Sequence, residues 1–342
     1  MNDVSSSTAP RWAAQAQARL AHMSPAWFVL VMGWCGLSQA WLRSEGLLGE
    51  MAAGIGLVAA GFALLAFSLL SLASVVRLHR HPSAVQADLL HPVRHAFMAT
   101  FPISVILLAT LGVGLFGGLS PMFDRLLTVV WVAGSVLELW ATLWVLGRWL
   151  RPKEQGGLQW PALTPVLFIP VVGNVLAPLA GVPLGLGAWA SAQLGVGLFL
   201  WPVLLVLLIV RLVQAGPLPQ RMTPTLFVTL APPSVIGLSL MVLDAPTSLV
   251  WGVWGVGVFF LGWALTQVRA IREQAFGMPH WGMSFPCAAF TALTLRLAQT
   301  PQGAWLHTPA LVLLAATSLL ILGLTLNTWH GLRNGSLLLP EQ

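Results

Sequence analysis

The chain has 342 residues, 57% of them hydrophobic and 8% charged, with a formal net charge of +6 and a mean hydropathy of +0.83. Soluble domains carry about 25% charged residues, so this composition excludes a soluble globular protein and describes a polytopic helical membrane protein. The apolar runs are continuous rather than alternating, which excludes a transmembrane β-barrel, and the positive charge lies in loops beside the membrane, which gives no reason to expect nucleic-acid binding.

Residues 1–23 are polar and alanine-rich, with Arg11 and Arg19 but no apolar signal-peptide core before Pro25. They read as a cytoplasmic tail with a short interfacial helix around Trp12. Ten spans follow, over residues 25–41, 51–76, 96–117, 126–147, 161–181, 184–213, 223–243, 248–268, 279–297 and 304–330. The membrane domain is therefore 24–332, with a cytoplasmic tail over 333–342. With the N-terminus inside, only Arg43, Arg125 and Arg296 of the sixteen lysines and arginines fall outside. That asymmetry orients both termini to the cytoplasm. Trp27, Trp41, Trp149, Trp160, Trp281 and Trp305 fall near span ends, where an indole suits the headgroup layer.

The loop before span three carries Arg77, Arg80, His79, His81, His91, Arg94 and His95. One reading is contact with anionic headgroups. The other is an antechamber that concentrates anions, with His91, Arg94 and His95 best placed for the mouth. Spans three, five, seven and nine each contain an interior proline: Pro102, Pro170, Pro232 with Pro233, and Pro286. A proline removes an N–H and crowds the carbonyl four residues back, so each should kink its helix. A kinked helix followed by a smoother return helix makes a hairpin. Five such hairpins about an axis along the membrane normal would form a ring, kinked helices inside.

Glu138, in span four, is the one acid deep within a span. It reads either as a structural group held between helices or as a proton-coupling site. Asn174 and Gln193 suit interhelical hydrogen bonding. Cys35 and Cys287 lie in apolar runs and read as packing residues. In span nine, helical spacing puts Trp281, Phe285, Ala289, Ala292 and Arg296 on one face. Phe285, beside Pro286, is either a lipid-facing or core side chain or a plug in a smooth channel. No phosphate-binding loop, zinc spacing or nucleophile elbow appears, so neither catalysis nor a cofactor or metal is expected. An enzyme built on Glu138 and the loop histidines would need groups from different layers.

Four stretches carry a resemblance: HPVRHAFMATFPIS (91–104), PVVGNVLAPLAG (170–181), RLVQAGPLPQRMTPTLFVTLAPPSV (211–235) and WGMSFP (281–286). In these the chain resembles the tellurite-resistance/dicarboxylate transporter family, which includes bacterial TehA and the plant slow-type anion channels. Span one departs from it, with Val31 where a proline is expected. The resemblance implies an all-α protein of ten transmembrane helices, arranged as five hairpins in a quasi-fivefold ring. Proline-kinked odd helices would line a central pore, and protomers would form a homotrimer in the cell inner membrane. It implies Phe285 as the pore gate and small anions such as chloride or nitrate as permeant. The alternative is a proton-coupled exporter of C4-dicarboxylates (malate) or tellurite.

Overall fold

The computed structural model describes residues 19–155 and 157–339. Arg11, Trp12 and most of the expected N-terminal tail lie outside them, as do the last three residues of the C-terminal tail. No strand is present among the described residues. The principal helices are α1 (Phe28–Arg43), α2 (Glu50–Arg80), α3 (Thr100–Phe116), α4 (Pro121–Gly147), α5 (Phe168–Val175), α6 (Gly187–Ala215), α7 (Ala231–Val242), α8 (Thr247–Leu265), α9 (Ser284–Ala298) and α10 (His307–Arg333). Among the described residues, seven helical stretches are long and apolar enough to cross a membrane. The three expected spans that fall short are those of α1, α5 and α9; the fifth is a shorter apolar stretch, Pro165–Gly181.

Burial separates the helices into two kinds. In the stretch Gln220–Val242, which contains α7, 78% of the most apolar window is buried, against 22% in α2, α6 and α8. All of α9 is buried except Cys287 and Arg296. In α2 the buried residues are Ala52, Gly56, Ala59, Ala63 and Arg77, so small side chains form most of the packed stripe and Leu57, Leu64, Leu65, Leu69, Leu72 and Leu78 face outward. A lipid-exposed helix is expected to look like this, because lipid tails are as apolar as leucine and close backbone approach supplies the packing.

The contacts follow one rule. The odd helices touch in succession, α1 to α3, α3 to α5, α5 to α7 and α7 to α9, and α9 returns to α1. Each even helix packs on the odd helix before it and also touches the odd helix after it. Side-chain hydrogen bonds follow the same seams. Ser38 Oγ donates to Gly56 O (2.7 Å), Ser239 Oγ to Val175 O (2.6 Å), and Trp254 Nε1 to Thr294 Oγ1 (3.1 Å). Interhelical bonds of this kind contribute about 0.6 kcal/mol each.

The prolines do something other than kink a continuous α-helix. Each odd helix is preceded by a 3₁₀ stretch: Pro25–Trp27, Arg94–Ala99, Pro165–Leu167, Gln220–Leu230 and Met278–Met283. Pro102, Pro170, Pro233 and Pro286 are each the third residue of the α-helix that follows, and Pro232 is the second. There the missing N–H has no intrahelical partner to lose. The ring also excludes an α-turn behind it, so the chain enters through tighter i→i+3 turns. In α1 the third residue is Leu30, yet the same junction forms.

Two expectations about tryptophan are corrected. Trp281 is fully buried, with Nε1 donating to Thr328 Oγ1 (2.8 Å), and Trp27 is buried too. Neither indole sits in a headgroup belt, because each packs at the base of an inner helix. Trp160 and Trp305 are exposed as expected. Cys35 is buried, Cys287 half-buried, and both are free thiols.

Candidate functional site

Phe285 is the second residue of α9 and only 3% exposed, which excludes the lipid-facing alternative. Its ring lines a cavity of about 30 Å³ bounded by all five odd segments: Val29 and Met32, Phe97, Ile169, Val228, and Gly282. The lining is apolar apart from Thr225. Two glycines of α1 let α9 approach. A Cβ at Gly33 would stand 2.8 Å from Ser284 Cβ, and one at Gly36 would stand 2.9 Å from Ala288 Cβ. Below the ring, Trp281 is tied to α10 as described. The gate candidate is thus held by its neighbours on both sides.

At the opposite end of α9, Arg296 is exposed and lines a cavity of about 530 Å³. The walls come from α1, α3, the Pro178–Gly181 turn and the end of α9, with Arg43, Gln39, Thr110 and Gln299 among them. Arg296 therefore faces a cleft bounded by inner helices. Sequence reasoning passed over Arg43 and Gln39. The signal was there in their spacing of four at the end of span one, which places them on one helix face.

The loop cations are closely engaged. Arg77 Nη2 pairs with Asp88 Oδ2 at 2.7 Å and donates to the carbonyls of Ala21 and Ala84. Arg94 Nε lies 3.3 Å from Asp88 Oδ1. His91 Nδ1 accepts from the backbone N–H groups of Val93 and Arg94, while His95 Nδ1 lies 2.9 Å from His91 O. Arg148 donates to the carbonyls of Leu89 and Leu90 at 3.0 Å. These groups clamp the loop that leads into α3. Their charge remains, but their geometry is fixed from within.

Glu138 is fully buried on α4, and neither carboxyl oxygen has a hydrogen-bond partner among the described residues. A Cβ at Gly173 of α5 would overlap this carboxyl. Beside it runs a satisfied network. Asn174 Nδ2 donates to Thr142 Oγ1 and Pro170 O (both 2.7 Å), Gln193 Nε2 donates to Asn174 Oδ1 (3.2 Å), and Ser135 Oγ donates to Gln193 Oε1 (2.6 Å). The glue expected of Asn174 and Gln193 is present. Glu138 and the two cavities are formed by different sets of residues.

Fold and burial define a polytopic α-helical membrane protein with an inner set of helices. The chain matches the family described as voltage-dependent anion channel (SLAC1) over residues 22–329, and it belongs to that family. An uncharacterized transporter of Methanocaldococcus jannaschii is 26% identical over 298 residues, covering 78% of this chain and 81% of its own. The S-type anion channels SLAH2 and SLAH3 of Arabidopsis thaliana are 24% and 25% identical. Those matches cover 71% and 72% of this chain but 46% and 38% of theirs. The family is one of channels and transporters rather than enzymes, and membership supports anion transport in general.

Proposed function

We propose that the chain is an anion channel whose pore runs between the five odd helices and is closed by Phe285. The observation that carries this reading is the small apolar cavity at Phe285, to which every odd segment contributes. An aromatic ring in a narrow apolar passage blocks hydrated ions sterically and by dewetting. In this reading the closed cycle of contacts is a quasi-fivefold ring, and the even helices form its outer layer. Phe285 and Arg296 lie eleven residues apart on α9, about 16 Å at 1.5 Å per residue. The gate is then near mid-membrane and Arg296 at the outer vestibule, with the termini in the cytoplasm and the clamped loop of His91, Arg94 and His95 at the inner mouth. The permeant ions are small inorganic anions such as chloride or nitrate, the protomers form a homotrimer, and the protein resides in the cell inner membrane.

Current recording on protein reconstituted in planar bilayers tests the gate. Phe285→Ala should raise anion conductance at least tenfold without changing the order of anion preference. If it conducts no more than wild type, the gate is elsewhere.

The unpartnered carboxyl of Glu138 favours a second reading, a proton-coupled exporter of C4-dicarboxylates or tellurite. Liposome flux separates the two. A channel follows membrane potential alone, whereas a coupled carrier needs a pH gradient.

A further inference from the structure

A short chain of contacts leads from an outer helix to the gate residue. Trp281 precedes Phe285 by four residues and is fully buried in the 3₁₀ stretch Met278–Met283. Its carbonyl accepts twice from Ser284, once from the backbone N–H and once from Oγ at 2.7 Å. Ser284 is the residue immediately before Phe285. Trp281 thereby fixes the first turn of α9, on which the ring stands.

The indole fastens that turn to its surroundings. Nε1 donates to Thr328 Oγ1 of α10 at 2.8 Å and makes no other hydrogen bond among the described residues. Thr328 is itself buried, and its hydroxyl donates to Leu324 O at 2.8 Å, so a lone pair faces the indole. On another side lies α1, where a Cβ at Gly33 would stand 3.2 Å from Trp281 Cζ3. A second buried bond joins α9 to α10, between the hydroxyls of Thr291 and Thr317 at 3.0 Å. Thr291 lies six residues beyond Phe285. Of these two bonds, the one from Trp281 acts at the entry to α9, beside the ring.

We propose that Trp281 is the positioning residue of the gate, and that its bond to Thr328 latches Phe285 in the closed position. The inference rests on the pore reading and adds what holds the gate shut. Opening shifts the first turn of α9, and this carries the indole off its acceptor. A buried donor without a partner is costly. In wild type that cost falls on the open state and favours the closed one. Replacing the hydroxyl of Thr328 by a methyl group moves the cost to the closed state, so the population shifts towards the open one.

Planar-bilayer recording on the full chain tests the latch. Thr328→Val keeps the shape of the side chain and removes the acceptor, so it should raise basal anion conductance at least fivefold. Thr328→Ser keeps the acceptor and should conduct as wild type. Thr317→Val removes the other bond between α9 and α10 and should also conduct as wild type. Trp281→Phe should open the channel as Thr328→Val does, and the double variant no further, because both remove one and the same bond. Equal opening by Thr328→Val and Thr317→Val would overturn the latch, since any loosening of α9 from α10 would then suffice. Wild-type conductance in Thr328→Val, beside a conducting Phe285→Ala, would overturn it too and leave the gate in place. A silent Phe285→Ala would remove the gate, and the latch with it. A thermal melt of each variant shows whether it is folded. If Thr328→Val is not, the comparison of Trp281→Phe with Thr317→Val decides in the same way.

Discussion

Phe285 of α9 rests against the bare backbone of Gly36 of α1, where an added Cβ would stand 3.2 Å from Phe285 Cδ2. The ring is therefore held by the neighbouring odd helix as well as by its own. Gly36→Ala places a methyl where the ring and Ala288 now sit. We expect it to lower stability by about 1–3 kcal/mol, as overpacking does, and to raise basal anion conductance by displacing the ring. Bilayer recording beside a thermal melt checks both. A destabilised variant with unchanged conductance would mean that the ring position does not set the closed state.

The Glu138–Gly173 contact gives a second test. Gly173→Ala drives a Cβ into the carboxyl and should destabilise the protein by about 1–3 kcal/mol. Glu138→Ala in the same chain should recover most of that loss, because the overlapping atoms are gone. Under the channel reading, Glu138→Gln keeps wild-type anion flux with or without a pH gradient. Flux that depends on a pH gradient in wild type, and loses that dependence in Glu138→Gln, would favour the coupled exporter.

Asp88 is buried between Arg77 and Arg94. Removing one partner of a buried pair leaves an uncompensated charge, which typically costs about 3–5 kcal/mol. Asp88→Asn should therefore melt well below wild type. Arg94→Gln, at the more exposed end of the cluster, should cost less. Comparing their denaturation midpoints with a common unfolding slope is sufficient. Equal midpoints would show that the cluster does not hold the loop.

The inner-mouth field is tested by salt. Neutralising Arg94 with Arg148 should lower anion flux at low ionic strength and matter less at about 1 M salt, where the screening length falls to about 3 Å. Arg148 also binds the carbonyls of Leu89 and Leu90, so a melt must accompany the flux measurement. A loss of flux that is the same at both salt concentrations would indicate a structural effect.

For assembly, native mass spectrometry in mild detergent should show three copies. A monomer in every detergent tried would count against the homotrimer.

Much of this molecule can be read from residue order. Continuous apolar runs with polar punctuation locate the ten principal helices, though not short ones such as Pro82–Leu90, because a membrane segment must bury its own backbone hydrogen bonds. A proline near the helix start marks four of the five inner helices, but α1 has none within it and the outer α6 carries Pro202 inside. What residue order could not convey is local geometry. A proline at the third position of an α-helix and one at its centre look alike until the helix start is known. Trp281 and Trp305 both fall near span ends, and only packing separates the buried one from the exposed one. Arg43 looked like an ordinary flanking cation. Its place beside Arg296 in one cleft depends on how far the ends of α1 and α9 stand from each other, which is a tertiary distance.

The 3₁₀ entries have a further consequence, for reach. A 3₁₀ turn climbs about 2.0 Å per residue against 1.5 Å for an α-turn. The 3 residues of Pro25–Trp27 with the 16 of α1 extend about 30 Å, and the 6 residues of Met278–Met283 with the 15 of α9 about 34 Å. Taken alone, α9 would climb only about 22 Å, well short of a hydrocarbon core about 30 Å thick. Mixing two pitches lets a short segment match the bilayer while keeping its α-helical half compact beside the axis.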